Sequence, residues 1–590
     1  MVRRLLPWLL VGLAAAIYGW KLGDTPTYIS PDEAIIAVDA HALATTGRDV
    51  HGTLLPLYFY IHQPKSERTG WFTPVIFYLS AAVQTVLPFS EATIRVPSVL
   101  VGLAGLILVL MLSRAALGNE WLALMTTALL ALSPAYFIFS RYGLDYLYPV
   151  PFLVAWALAL HRALLSPTPR NLLVCGLCLG VAFYSYAAAV LLTPMLLVVS
   201  IAALWPSFDR PSRSALVVAG YALPLTFFAI WFALHPDAFA NTAQRYALYN
   251  ASEMNALQGL REFLSYTNIE RMVSIYWSFL SPGVLFFSGD QLITFSTRQA
   301  GVFPTIMGVL MVLGFVQIIE RDRSRFAWAM VAAFLLAPLP AVVVPEAGAV
   351  NRATAIMPFG ALIAGYGLKW LWSFDVIKHA RAAATLAGGS ALVLGMGYAA
   401  WTLMSDGRLG GASMPLVALG IILTGFAVLA SRGRHGAMLA VAMVLIAALQ
   451  FTGFQRDYHG DYRVRVNSWL GGNLRGALTA IIDRCASAPC TQIYFAHLRS
   501  TGGVADIRNY FMDAYWRFYL IKSGRESLLE RSVAAEPGPI AGIPAGSLVL
   551  ANHGDPVIGA MVSSGELTTV ASIEEMDREP FFLILEKRGS

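Results

Sequence analysis

The sequence predicts a polytopic, mainly α-helical membrane protein that ends in a small soluble α/β domain, and three observations predict it. Hydrophobic residues make up 57% of the 590 and charged residues only 13%, about half the charged share of an ordinary soluble chain. Apolar stretches of about 20 residues, the length that crosses a hydrocarbon core of roughly 30 Å, recur from Leu5 to Phe454. From Gln455 onward the composition shifts to charges, Gly and Pro interspersed among short strand-like runs.

Arg3 and Arg4 precede the first apolar run, and no small-residue cleavage site follows it. Met1 to Trp20 therefore reads as an uncleaved first helix running outward. Basic clusters mark the cytoplasmic side: Arg114, Arg162 with Arg170, Arg210 with Arg213, Arg321 to Arg325, Lys378 with Arg381, and Arg432 with Arg434. Placing them inside gives helices near 94–113, 120–139, 149–165, 171–187, 188–206, 214–234, 304–319, 326–344, 354–372, 382–402, 413–430 and 437–453. With the first helix the count is about thirteen. An odd count divides the chain into a membrane domain, 1–454, and an extracytoplasmic domain, 455–590. Strands are expected at Gln492 to Phe495, Leu548 to Ala551 and Phe581 to Leu585.

Two external loops are long, 22–93 and 235–303. In the first, Trp71 to Leu87 reads as lying at the membrane surface, because a full span there would put every later basic cluster on the wrong side. The second is aromatic-rich, and its Arg245, Arg261, Arg271 and Arg298 read as surface charges. No internal repeat of a transporter kind is evident.

The net charge of +6 is dispersed between apolar stretches, so it reads as a topology signal and implies no nucleic-acid partner. Four cysteines are too few for a disulfide framework, although Cys485 and Cys490 are close enough in sequence to pair. Cys175 and Cys178 sit inside an apolar helix as small packing residues.

The residues that can carry chemistry stand at helix ends. Asp32 and Glu33 follow the first helix, in the run Tyr28, Ile29, Ser30, Pro31 and then an amphipathic stretch, Ala34 to Thr46. Adjacent carboxylates at a membrane surface either face water or serve a site, and a capped helix N-terminus with Ser30 or Asp32 as cap is the plainer reading. The next short external loop carries Arg141 and Asp145, four apart and able simply to pair. The topology nevertheless puts Asp32, Glu33, Arg141 and Asp145 on one side of the membrane, where they can converge.

This order of features resembles the GT-C class of polyprenyl-phosphate-sugar-dependent glycosyltransferases, notably the protein O-mannosyltransferases and the bacterial transferase that adds aminoarabinose to lipid A. Asp32 with Glu33 resembles the acidic motif after the first helix of that class, and Phe139, Ser140, Arg141, Tyr142 with Asp145 its second-loop motif. Thr46, Gly47, Arg48, His51, Gly52, Leu55 and Pro56, and Leu132, Ser133, Pro134, are similar to patterns of its bacterial members. The resemblance implies a GT-C-like fold and a hexosyl- or pentosyltransferase. Such an enzyme takes sugar from a polyprenyl-phosphate donor to a lipid, glycan or protein hydroxyl.

Transfer to a hydroxyl needs a base, for which Asp32 is the candidate, with Glu33 and Asp145 organising the site. The leaving phosphate needs cations, for which Lys65, Arg68, Arg141 and Arg352 are candidates. A single displacement would invert the anomeric centre, with no covalent intermediate. Asp457, His459 and Asp461 alternate as on a strand, but with Tyr458 and Tyr462 between them they read as an interfacial belt rather than a metal site. No metal is assigned, although a divalent cation at Asp32 and Asp145 is compatible with the sequence because carboxylates suit hard ions.

A transporter or flippase of lipid-linked sugars is the alternative. It would need ionisable residues at mid-membrane depth, which the spans largely lack. The resemblance points to a bacterial inner membrane with the site and the C-terminal domain in the periplasm. The same topology fits an endoplasmic reticulum, where Asn250, Ala251, Ser252 would be an acceptor sequon.

Overall fold

The computed structural model describes residues 2–61, 70–208, 210–238, 256–343, 348–373, 390, 393–404, 435–470, 472–488, 490–496, 507–534 and 542–588. The chain is a multi-pass membrane protein: among the described residues six helices are long and apolar enough to cross a bilayer. They are Thr93–Leu117, Asp145–Leu165, Ala187–Ser207, Pro211–Leu234, Arg325–Val342 and Gly436–His459. Helices are the natural solution because each satisfies its own backbone polar groups where no water is available. The expected helix at 413–430 lies outside the described residues, as do Lys65, Arg68, Arg245, Lys378, Arg381, Arg432 and Arg434.

Several boundaries differ from the sequence reading, each for a local reason. The expected helix 120–139 is two, Glu120–Ala131 and Pro134–Phe139, because the residue before a proline is pushed out of helical geometry: Ser133 is extended. The expected helix 437–453 runs on to His459, so the 454/455 boundary falls inside it. The loop 235–303 is itself helical over Ala256–Phe263 and Tyr266–Leu280.

Four helices frame the functional end. These are α1 (Val2–Gly19), α2 (Pro31–Thr46), α3 (Val75–Gln84) and α4 (Val96–Leu117). A short antiparallel hairpin, β1 (Phe59–Ile61) with β2 (Gly70–Phe72), leads into α3. With only ten residues, α3 is too short to span. α4 and the helices Pro149–Leu165 and Ile356–Trp372 each begin near the acidic motifs and carry Arg114, Arg162 or Lys369 in their last turn.

Close helix pairs rest on small residues. A Cβ at Gly314 would strike the Ile363 carbonyl, and one at Gly367 the Leu310 carbonyl, so Ile306–Gln317 and Ile356–Trp372 touch backbone to backbone. Such approach is open only to small side chains. Gly367→Val is expected to push these helices apart and destabilise the protein by about 1–3 kcal/mol, read as a lower melting midpoint in detergent. An unchanged midpoint contradicts the packing account.

The C-terminal part forms a five-stranded mixed sheet in the order β4-β3-β5-β7-β6. The strands are β3 (Ile493–Phe495), β4 (Ser532–Ala534), β5 (Leu548–Asn552), β6 (Leu567–Glu574) and β7 (Pro580–Lys587). β3 pairs in parallel with β4 and β5, and β7 runs antiparallel to β5 and β6. The period of two in β5 builds two cores. Leu548 and Leu550 face the helices Leu474–Ser487 and Ile507–Ser523, while Val549 and Ala551 pack with Ile558 of the helix Pro556–Ser563. Cys485 and Cys490 are disulfide-bonded, with Cα atoms 5.3 Å apart.

Candidate active site

Asp32 sits in the first turn of α2, a helix whose start is fixed by a capping box. The Glu33 amide donates to Ser30 Oγ at 3.3 Å, and the Ser30 amide donates back to Glu33 Oε2 at 2.8 Å. Pro31 supplies a helix-compatible φ at the first position. The two carboxylates then part company. Asp32 is half-buried, within reach of a substrate, whereas Glu33 is 1% exposed.

Glu33 is held by a residue that the sequence reading passed over. Arg95 Nε donates to Glu33 Oε1 at 2.9 Å, and its terminal nitrogens donate to the carbonyls of Leu22, Pro26 and Tyr28. The Gly143 amide also donates to Glu33 Oε1 at 2.9 Å. This fully buried pair ties the chain after α1, the starts of α2 and α4, and the second acidic loop into one piece. Arg95 opens an otherwise apolar stretch as a lone ionisable group, the kind of signal that marks a buried partner in a membrane protein.

Asp145 begins a single turn of 3-10 helix and is almost fully buried. Thr73 Oγ1 donates to its Oδ2 at 3.2 Å. Asp32, Asp145 and Arg352 all lie within electrostatic range of the Tyr146 phenol, and Asp32 lies within that range of Asp145. Thr354 Oγ1 donates to the Tyr146 carbonyl at 2.6 Å, fastening the turn at 350–352 to this loop. Asp32, Asp145 and Arg352 therefore share one electrostatic neighbourhood, around Tyr146. Thr73, Tyr146 and Asn351 join them, none of which was singled out in the sequence.

Arg141 is not brought to that cluster as a free cation. Its guanidinium is buried and donates to the carbonyls of Tyr18, Lys21 and Thr25, over the faces of Phe137 and Tyr458. The expected belt around Asp457 to Asp461 is also different. The segment is helical, Tyr458 and Tyr462 are fully buried, and Asp457 pairs with Arg465 at 2.8 Å. Tyr142 and Tyr462 both donate to the Thr294 carbonyl, so these rings weld the loop after Gly289 to the site.

Further along α2, Asp39 is buried and accepts from the Val50 amide at 3.1 Å, while Asp49 accepts from His51 and Thr53. Burial pushes the Asp39 carboxyl up to about 6; the Val50 amide opposes this, Asp49 adds to it and His51 opposes it. A folded value above the unfolded one means that the contribution is full below about pH 4 and is lost as pH rises through about 6. Asp39→Asn keeps the acceptor without the charge. Its melting midpoint should therefore exceed that of the wild type at pH 7.5, by an amount worth about 1–3 kcal/mol, and the gap should narrow as pH falls through about 6 and close below about pH 4. A gap independent of pH contradicts this account.

Residues 71–232 match the family model described as dolichyl-phosphate-mannose-protein mannosyltransferase, a segment that contains Thr73, Asp145 and Tyr146. No curated protein matches the chain by sequence. Among solved structures the chain is similar to ArnT from Cupriavidus metallidurans, both in the apo state and bound to undecaprenyl phosphate. The TM-score is 0.53 at 13% identity, covering 98% of this chain and 97% of that chain. The arabinosyltransferase EmbB from Mycobacterium smegmatis aligns over 78% of this chain and 41% of its own, at 13% identity and a TM-score of 0.42, too low to carry an argument. The chain is thus a multi-pass membrane protein whose residues 71–232 are similar to the mannosyltransferase family model and whose fold is like that of ArnT along nearly its whole length.

Proposed function

We propose that the chain transfers a sugar from a polyprenyl-phosphate donor to a hydroxyl of a lipid, glycan or protein on the extracytoplasmic side of a bacterial inner membrane. The observation that supports this reading is that Asp32, Asp145 and Arg352 lie within electrostatic range of one phenol, Tyr146. Asp32 is the more accessible carboxylate and takes the acceptor proton. The acceptor oxygen then attacks the anomeric carbon, the bond from that carbon to the phosphate oxygen breaks, and its electron pair leaves with the phosphate. Arg352, with Lys65 and Arg68, meets that charge, and the configuration inverts. Asp145, anchored on Thr73, orients the acceptor side.

Two further features support the reading. An apolar groove of about 680 Å³ is lined by Leu57, Pro74, Val75, Tyr78, Phe227 and Trp231 among others; it suits an isoprenoid chain. The disulfide of Cys485 and Cys490 suits an oxidising compartment for the chain that follows the span ending at His459. A divalent ion at Asp32 and Asp145 stays outside the mechanism. Among the described residues no three His, Cys, Asp or Glu groups gather into a ready-made cage, so an ion at Asp32 and Asp145 would complete its shell with water and the donor phosphate.

The test is label transfer by purified protein in vesicles from a panel of labelled polyprenyl-phosphate sugars presented on the side of the C-terminal domain. Transfer with inversion is expected. Movement of the lipid-linked sugar across the bilayer without transfer would overturn the proposal in favour of transport.

A further inference from the structure

Thr27, Tyr28 and Ile29 stand immediately before the helix turn that presents Asp32, and each is bonded to the C-terminal end of the chain. Thr27 Oγ1 donates to the Arg463 carbonyl at 3.4 Å, the Tyr28 phenol donates to Glu575 Oε2 at 2.9 Å, and the Tyr515 phenol donates to the Ile29 carbonyl at 3.1 Å. Glu575 is itself fixed, its Oε1 accepting from the Asn473 amide at 2.6 Å. From the membrane side Arg95 Nη2 donates to the Tyr28 carbonyl at 2.9 Å, so the segment is gripped from both sides.

The apolar packing follows the same line. Ile29, Ala34, Ala37, Val38 and Ile94 belong to one continuous core with Leu478, Phe495, Tyr515, Trp516 and Leu548. One face of α2 is therefore buried inside the sheet domain, not merely covered by it. Lys522 clamps Glu91 at 2.7 Å, and Arg475 approaches the same carboxylate at 3.6 Å. Burial and the Glu575 carboxylate push the Tyr28 phenol above its ordinary pKa, which keeps it a donor.

We infer that the C-terminal sheet domain is a working part of the active site: through Tyr515 and Glu575 it fixes the Thr27–Ile29 segment and so sets the direction of the Asp32 carboxylate. Tyr515 and Glu575 are positioning residues, and neither touches the reacting atoms. This rests on the reading of Asp32 as the base. A base displaced by about 1 Å loses much of the benefit of alignment, up to about 100-fold in rate, while the donor site beside Arg352 is left as it was.

Tyr28→Phe, Tyr515→Phe and the double variant each delete a hydroxyl and keep the ring in the core. One hydrogen bond of ordinary strength predicts about a 5-fold lower kcat for each single variant and about 25-fold for the pair, with KM for the polyprenyl-phosphate donor unchanged. Hydrogen exchange at the amides of residues 30–34 should quicken in parallel, and this second readout does not need turnover. Arg517→Ala, which removes a half-exposed ion pair with Asp513 on the same helix, should leave kcat at the wild-type value.

Wild-type kcat and exchange in the double variant would overturn the inference, as would a loss confined to KM or an equal loss in Arg517→Ala. Full activity of Asp32→Asn would instead bring down the base assignment. With Asp32→Asn inactive, wild-type kcat in the double tyrosine variant would bring down the positioning role alone.

Discussion

Replacing Arg95 by leucine is expected to leave little folded protein in the membrane. The side chain is fully buried and serves four partners: the Glu33 carboxylate and the carbonyls of Leu22, Pro26 and Tyr28. Removing one member of such a pair strands the other charge in a low-dielectric interior, at a cost of about 3–5 kcal/mol. That is a large part of the roughly 5–15 kcal/mol that holds a typical domain together. Size-exclusion and thermal melting in detergent would register it as aggregation or a midpoint many degrees lower. Arg95→Leu combined with Glu33→Leu should be milder than Arg95→Leu alone, because no charge is left behind. A single variant as stable as the wild type would show that the pair does not hold this corner together.

Asp32→Asn is the variant expected to change chemistry most. The substitution is nearly isosteric, and Asp32 is half-buried where its neighbour Glu33 is fully buried, so the fold should survive. Loss of a general base typically costs about 100- to 10,000-fold in rate, and single-turnover transfer should fall by that order while donor binding is kept. Glu33→Gln next door should behave differently. Its effect should appear first as lost stability, because Glu33 is spent on Arg95, Gly143 and Ser30. Adjacent carboxylates with opposite phenotypes, one catalytic and one structural, are the signature of this arrangement.

Much of this was legible in the residues. Apolar length alone located the helices at 149–165 and 214–234, which the structure gives as Pro149–Leu165 and Ser214–Leu234. Composition alone located β3, β5 and β7 within a few residues. The positive-inside rule expects Asp32, Asp145 and Arg352 on one side of the membrane, and the three lie within electrostatic range of Tyr146.

What stayed hidden depends on which way side chains turn. Arg141 reads in sequence like a cation for a phosphate, yet it folds back onto the carbonyls of Tyr18, Lys21 and Thr25, a choice made by a tertiary pocket that no local pattern encodes. Tyr458 and Tyr462 read as an interfacial belt, because aromatic rings at a membrane exit usually are. Here they stack on each other and bury against Phe137 and Tyr142. β6 was missed because Thr568, Thr569, Ser572 and Glu574 interrupt it and Val570 is exposed, which weakens the apolar alternation that strand reading relies on. The clasp of Tyr515 on Ile29 joins residues 486 positions apart, beyond any pattern within one segment.

The measurement that bears most directly on the central claim is single-turnover sugar transfer by purified Asp32→Asn protein beside the wild type, in the same vesicles and with a labelled polyprenyl-phosphate donor shown to bind both. The account expects the wild type to transfer label with inversion, and Asp32→Asn to hold the donor but transfer it at least about 100-fold more slowly. Transfer by Asp32→Asn at the wild-type rate would contradict it.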